Sequence, residues 1–213
     1  KKERKNKDEI FNHIKTLKDK GNVDAMYCYA CIMKSLDKKE EALKYLKLAA
    51  DKGNTMSMHT YAYNIYNRDK NGIINNEEAA KYYKMAADKG QVQSMLDYAL
   101  IVNKGHGVPK NIEEAIKYYK MAINEGSAEA MCKYALILKD NDEYPGNKEE
   151  AFKYFKMAAE KGHPTSMAHY ALMIDKGEGC EVNKEEAFKY CKMAADNGVY
   201  QAMCIFGSML EYG

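Results

Sequence analysis

Histidines, a Cys-x-x-Cys, paired carboxylates and Gly-x-Gly loops are the patterns in this 213-residue chain whose residue types could carry chemistry. His13, His59, His106, His163 and His169 offer imidazole as a base or metal ligand, but none recurs at a fixed offset from an Asp, Ser or Cys. His163 and His169 stand six apart, outside the four-residue spacing that brings two imidazoles onto one zinc from one helix face. Cys28 and Cys31 lie in a helix-like segment, with no second pair at zinc spacing and no strand beside them, so metal and dithiol redox chemistry both lack their context. Glu113-Glu114 and Glu149-Glu150 resemble the acid–base pair of a glycosidase, yet the pair recurs at each helix start, where the helix dipole favours negative charge. The Gly-containing loops Lys104–Lys110 and Lys176–Glu181 suggest a phosphate cradle, but they follow helices rather than strands and lack the Gly-Lys-Ser/Thr ending. They read as tight turns. No catalytic residue, cofactor or metal is expected, and the chain is not expected to be an enzyme.

The composition narrows the partners. Basic and acidic residues number 33 and 31, so no excess positive field draws in nucleic acid or an anionic membrane surface. No apolar run reaches the roughly 18 residues that span a bilayer, so no direct membrane insertion is expected. A cytoplasmic location is favoured, with a secretory compartment left open because the chain opens on Lys1 and reads as an excerpt of a longer protein. Cys28, Cys31, Cys132, Cys180, Cys191 and Cys204 recur at no fixed offset, so they read as reduced thiols.

What positions all these residues is a repeat. A glycine closes an amphipathic segment at Gly21, Gly53, Gly90, Gly126, Gly162 and Gly198, with successive spacings of 32, 37, 36, 36 and 36. The fifth residue after each is Met (Met26, Met58, Met95, Met131, Met167, Met203), and the eighth is aromatic (Tyr29, Tyr61, Tyr98, Tyr134, Tyr170, Phe206). A small residue precedes the Met and another follows the aromatic, and the twelfth position is apolar, as in Met33 and Leu210, which completes one helix face. This segment is called helix A. Counting back from the glycines gives a second face, for example Ala79, Tyr82, Tyr83 and Ala86, called helix B. Asn75, Asn111, Asn147 and Asn183 stand three residues before a Glu at its start, the pattern of a capping box. The closing glycine ends it in a left-handed conformation. Large Tyr against small Ala allows close helix packing, and 12 of the 18 tyrosines fall on these core positions.

The expected fold is therefore all-α, a right-handed α/α superhelical solenoid of twelve helices forming one array over 1–213. It comprises a half-repeat 8–21, repeats 22–53, 54–90, 91–126, 127–162 and 163–198, and a half-repeat 199–213. Two loops depart from the pattern: Ser35–Lys39 is short, and Asp140–Gly146 lacks Gly-x-Gly.

Ala/Ser-Met-x-x-Tyr-Ala, a loop with Gly-x-Gly-Val, and Glu-Glu-Ala-x-Lys-Tyr-Tyr-Lys-Met-Ala-Ala-Asp-Lys-Gly together resemble the Sel1-like repeat family, relatives of tetratricopeptide repeats. The resemblance covers nearly all of 8–213. A 36-residue period and a terminal Lys-Gly fit it better than the 34 residues of a tetratricopeptide array. What it implies is scaffold and adaptor work: assembling membrane-associated quality-control complexes, activating cell-wall synthases, bacterial signalling, or host contact by microbes. No shared catalytic residue comes with it. A secreted branch with one disulfide per repeat is disfavoured by the irregular cysteines.

In a repeat array the recurring residues are framework, so positions of helix A that vary are the candidates for partner choice. Those are positions three, six, ten and thirteen, and the last three give Tyr27, Cys31 and Lys34; His59, Tyr63 and Tyr66; Leu96, Leu100 and Asn103; Cys132, Leu136 and Lys139. On a concave helix A face these would form an apolar groove with aromatic anchors, suited to a peptide or helix of another protein. The competing expectation is that Leu100, Leu136 and Leu172 pack against adjacent repeats. A different reading of the whole is a regulatory or targeting arm of an enzyme, such as a kinase, whose catalytic domain lies outside this stretch.

Overall fold

A computed structural model describes residues 2–66, 75–140 and 147–212, with side chains described over 6–66, 75–140 and 147–207. All secondary structure among the described residues is helical: α1 (Lys2–Asp19), α2 (Val23–Ser35), α3 (Lys39–Asp51), α4 (Thr55–Tyr66), α5 (Asn76–Asp88), α6 (Val92–Lys104), α7 (Ile112–Asn124), α8 (Ala128–Asp140), α9 (Lys148–Glu160), α10 (Pro164–Lys176), α11 (Lys184–Asp196) and α12 (Tyr200–Tyr212). Even-numbered helices are the expected helices A and odd-numbered ones the helices B. The chain forms two compact units, Lys1–Asn111 and Ile112–Gly213. Within each, helices adjacent in sequence pack together, as in an α/α solenoid.

Local chemistry sets the boundaries. Each closing glycine has a positive φ, from 82° at Gly198 to 96° at Gly53. The chain reversal at Gly53 shows why. Its N–H donates to the Ala50 carbonyl (2.9 Å) and that of Asn54 to the Ala49 carbonyl (3.0 Å), so the last carbonyls of α3 find donors while the chain turns. The next residue then caps the following helix: Asn54 accepts from the Ser57 N–H at 2.7 Å, Asn22 from Ala25 at 2.8 Å and Gln91 from Ser94 at 2.6 Å. Helix B is capped as expected by Asn75, Asn147 and Asn183, which accept from the N–H of Glu78, Glu150 and Glu186.

Glu78 reaches back to the helix start, accepting from the Asn75 side-chain amide at 2.9 Å, and the glutamates have a second role as well. Their carboxylates turn to the core tyrosines of helix A, as in Tyr61 to Glu78 (3.2 Å), Tyr134 to Glu150 (3.3 Å) and Tyr170 to Glu186 (2.9 Å). A buried phenol thus gains the acceptor it needs. The same tyrosines meet a helix B aromatic edge-on, Tyr61 with Tyr82 at 4.9 Å and Tyr170 with Tyr190 at 4.8 Å between centroids. The alanines flanking them, Ala62, Ala135 and Ala171, are 0% exposed, which lets the helix backbones approach.

The short loop after α2 makes its turn with Asp37 at φ 58°, where longer loops use glycine. Most of the Asp140–Gly146 loop and the Leu210 side chain lie outside the described residues. In the half-repeat α1, Lys18 stands where later copies carry Ala50, Ala87 or Ala159. It is 7% exposed, with its ammonium 4.6 and 4.4 Å from the Tyr29 and Tyr45 ring centroids, 2.9 Å from the Tyr45 hydroxyl and 2.7 Å from an Asp19 oxygen. The Asp19 and Tyr45 hydrogen bonds hold its pKa above the ordinary lysine value. A charge buried this far is tolerated because it is paired and faces two π systems.

Candidate protein-binding face

The variable positions of helix A separate by exposure. Position six is largely closed: Leu96 and Cys132 are buried, at 6% and 2% exposed. Burial lifts the Cys132 thiol pKa. Tyr27 is half-buried, its phenol pKa raised by burial first and then by Cys31. His59, also at this position, reaches across from α4 to α6, its Nδ1 lying 3.0 Å from the Ser94 Oγ and 3.7 Å from an Asp97 oxygen. The α2–α4 seam has its own polar link, Asn54 donating to Asp24 at 2.9 Å.

Position ten is the open one. Cys31 is exposed and Tyr63 is 52% exposed, whereas Leu100, Leu136 and Leu172 are half-buried. At position thirteen Lys34 is exposed, Tyr66 is half-buried with its hydroxyl 3.0 Å from His106 Nδ1, and Lys139 pairs with Asp140 at 3.1 Å. Asn103 is half-buried, with its amide oxygen enclosed without a hydrogen-bond partner. In the N-terminal unit His59, Tyr63 and Tyr66 therefore run along α4 at i, i+4, i+7, with Asp97 beside His59 and buried Tyr83 behind (His59 to Tyr83 5.6 Å, Tyr66 to Tyr83 6.5 Å between centroids). Cys132 and Lys139 belong to the C-terminal unit, and each unit carries its own helix A face.

His59, Ser94 and Asp97 are the residue types of a nucleophile relay, a meeting that sequence offsets did not reveal. Its geometry is wrong for that chemistry. A relay base touches nucleophile and carboxylate through its two different nitrogens, whereas here both approach Nδ1. Ser94 is also 0% exposed, out of reach of a substrate. His163 is a helix cap, with its Nδ1 accepting from the Ser166 N–H at 3.2 Å. His169 stacks on Phe155 at 4.9 Å between centroids. Among the described residues no group of three or more His, Cys, Asp or Glu could hold a metal ion. The six cysteines are free.

The Gly-x-Gly loops have a packing role. Gly105 and Gly177 end α6 and α10 in the left-handed conformation. The second glycines touch the start of the preceding helix B. A Cβ at Gly107 would lie 2.3 Å from Asn76 Cβ and 2.7 Å from the Glu77 nitrogen, and one at Gly179 would lie 2.5 Å from the Lys148 carbonyl oxygen. Only a residue without a side chain fits.

Burial lowers the pKa of His59, His163 and His169 below the ordinary 6.5, with Lys139 adding to the effect at His169. The unfolded chain therefore takes up protons near pH 6.5 that the folded chain takes up only at lower pH, and acidification favours unfolding. Melting temperature should fall as pH is lowered from 7.5 to 5, and His169→Phe should flatten that fall. A constant or rising melting temperature over this range would contradict the burial of these imidazoles.

Antiparallel helix pairs stacked by a recurring Tyr/Ala/Gly framework, with variable side chains on one helix of each pair, define a helical-repeat protein. The chain belongs to the Sel1 repeat family, whose model matches residues 32–54, 56–91, 92–127, 128–163 and 164–199. This fold generally mediates protein–protein interaction, and such solenoids are typically non-enzymatic scaffolds. The chain is similar in fold to c5321, a protective antigen of uropathogenic Escherichia coli strains (TM-score 0.85, 19% identity, 95% of this chain and 44% of that one). It therefore spans less than half of that protein's length. It is also similar to a Sel1 repeat protein of Oxalobacter formigenes (TM-score 0.76, 24% identity, 87% and 75% covered). YrrB, a tetratricopeptide repeat protein with an unusual peptide-binding site, gives TM-score 0.56 at 18% identity, with 90% and 95% covered. No curated protein matches in sequence. No described helix is long and apolar enough to cross a membrane.

Proposed function

We propose that this chain is a protein-interaction scaffold, free of catalysis of its own, that docks a peptide or helical segment of a partner protein on its helix A face. The observation that carries this reading is the Tyr63 ring, 52% exposed at a position where the repeats differ and three residues before the half-buried Tyr66. A tyrosine held on a packed helix loses little conformational freedom on binding, and aromatic anchors dominate interface energetics. The repeat fold's general role and the peptide-binding site of the similarly folded YrrB support it. Lys34, Leu100 and Asn103 flank this anchor as the polar and apolar edge of the face, and Lys139 takes the equivalent place in the C-terminal unit. Leu96 and Cys132 act beneath the face by setting helix spacing. Proteins, rather than nucleic acid, are the proposed partners.

The double variant Tyr63→Ala/Tyr66→Ala should bind a captured partner about tenfold or more weakly, consistent with loss of one or two anchors, while its circular dichroism spectrum and melting temperature stay near wild type. Titration of the purified partner against both forms is the check. Equal affinity would sink this placement of the binding face.

A further inference from the structure

Cys28 and Cys31 stand one turn apart on α2, and both thiols are exposed. Between them Tyr29 and Ala30 are 6% and 0% exposed, so the packed stripe fixes the rotation of α2 and turns the two thiols to its outer side. The half-buried Tyr27 phenol lies beside both sulfurs: after burial, Cys31 and then more weakly Cys28 raise its pKa. Residues three apart on a helix hold their Cβ atoms about 5 to 6 Å apart, wider than the roughly 3.5 to 4.5 Å of a disulfide. A metal ion between two thiolates, with a bond of about 2.3 Å to each, sets the sulfurs roughly 4.6 Å apart and suits the wider spacing. The other cysteines lack this arrangement. Cys132 and Cys191 are buried, the half-buried Cys180 donates to the Met173 carbonyl at 3.6 Å, and the exposed Cys204 has no other cysteine within four residues.

We propose that Cys28 and Cys31 bind one soft monovalent cation, Cu(I), between their two thiolates. The sequence pattern argues against zinc, because a structural zinc takes four ligands and no second pair stands at zinc spacing. Among the described residues no group of three or more His, Cys, Asp or Glu could hold a metal ion, so no third ligand joins the pair. Cu(I) is satisfied by two thiolates in a line, and soft sulfur selects it. As each Cu–S bond forms, the thiol gives up its proton to solvent, and the metal stays Cu(I) throughout. The site lies on α2, apart from Tyr63 and Tyr66 on α4, and does not depend on the docking of a partner.

Titration of the reduced full chain with Cu(I) under argon, in competition with the Cu(I)-binding dye bicinchoninate, tests this. Wild type should hold one Cu(I) per chain against the dye, and X-ray absorption of the complex should show two sulfur neighbours in a line. Cys28→Ser and Cys31→Ser should each weaken binding about a hundredfold or more through loss of the chelate, whereas Cys204→Ser should leave it unchanged. The double variant Cys31→Ser/Ser35→Cys keeps two thiols on one side of α2 but sets them about 10 Å apart along the axis, and it should bind as weakly as the single variants. Zn(II) should not displace the Cu(I). Circular dichroism and melting curves report the folding of each variant, and if one single variant does not fold, the other decides. Wild type that holds no Cu(I) against the dye, undiminished binding in Cys28→Ser, or equal binding by the separated pair overturns the inference. Zn(II) held as tightly as Cu(I), or a third ligand in the absorption spectrum, overturns it as well.

Discussion

Gly179→Ala should destabilise the C-terminal unit by about 3 kcal/mol, while Gly162→Ala should cost only about 1 kcal/mol. The two glycines share a left-handed backbone, φ 74° and 87°, so an L side chain strains both alike. They differ in what a side chain would meet. Nothing lies within 4 Å of a Cβ at Gly162, whereas at Gly179 the Lys148 carbonyl and the Glu149 nitrogen stand 2.5 to 2.8 Å away. Those atoms are backbone at the start of α9, so relief requires the loop or the helix end to move, an overpacking cost added to the conformational one. Thermal or denaturant unfolding of the two variants gives the comparison. Equal losses would mean that the loop does not bear on α9 as described.

Phe155→Ala carries the largest expected loss, about 3 to 5 kcal/mol for removing a large side chain from a packed core. Phe155 is 0% exposed and stacks on His169. Its removal leaves a cavity between α9 and α10 that rigid helix backbones fill only in part. Phe188, about one turn into α11 and 36% exposed, supplies the contrast. Phe188→Ala should cost well under half as much, since much of its ring already meets water. In a repeat stack the damage should stay near the altered repeat, so hydrogen exchange in the Phe155 variant should accelerate first in α9 and α10. A loss similar to that at Phe188 would refute the packing described.

The framework was legible in the sequence because its signals are local. Gly53 and Gly90 mark their own turns, Asn147 and Asn183 their own helix starts, and the Tyr/Ala alternation its own buried face. Twelve helices follow from these rules alone, and the described residues form twelve. Relations between repeats were harder to read. Periodicity puts Leu96 and Cys132 on the same stripe as Tyr63, but whether a residue there is open depends on contacts from distant parts of the chain, as where His59 on α4 meets Ser94 on α6. The Tyr61–Glu78 and Tyr170–Glu186 hydrogen bonds join residues 16 or 17 apart and lie beyond the local capping role that the glutamates suggest. Gly107 and Gly179 looked like ordinary turn residues because their contacts belong to the preceding repeat. The recurrence of the second glycine, where a single left-handed residue would have sufficed to turn the chain, was the available signal.

Hydroxyl-radical footprinting of the full chain, alone and saturated with a captured partner protein, addresses the central claim most directly. Tyr63 is exposed in the free protein on the N-terminal unit's helix A face, and Tyr200, 77% exposed on the C-terminal unit, provides an internal control. Docking on the proposed face predicts that Tyr63 loses most of its reactivity and Tyr66 part of its own, while Tyr200 stays unchanged. Undiminished reactivity at Tyr63 in the saturated complex, with protection falling instead on Tyr200 and Met203 or on the helix B surface, would contradict it.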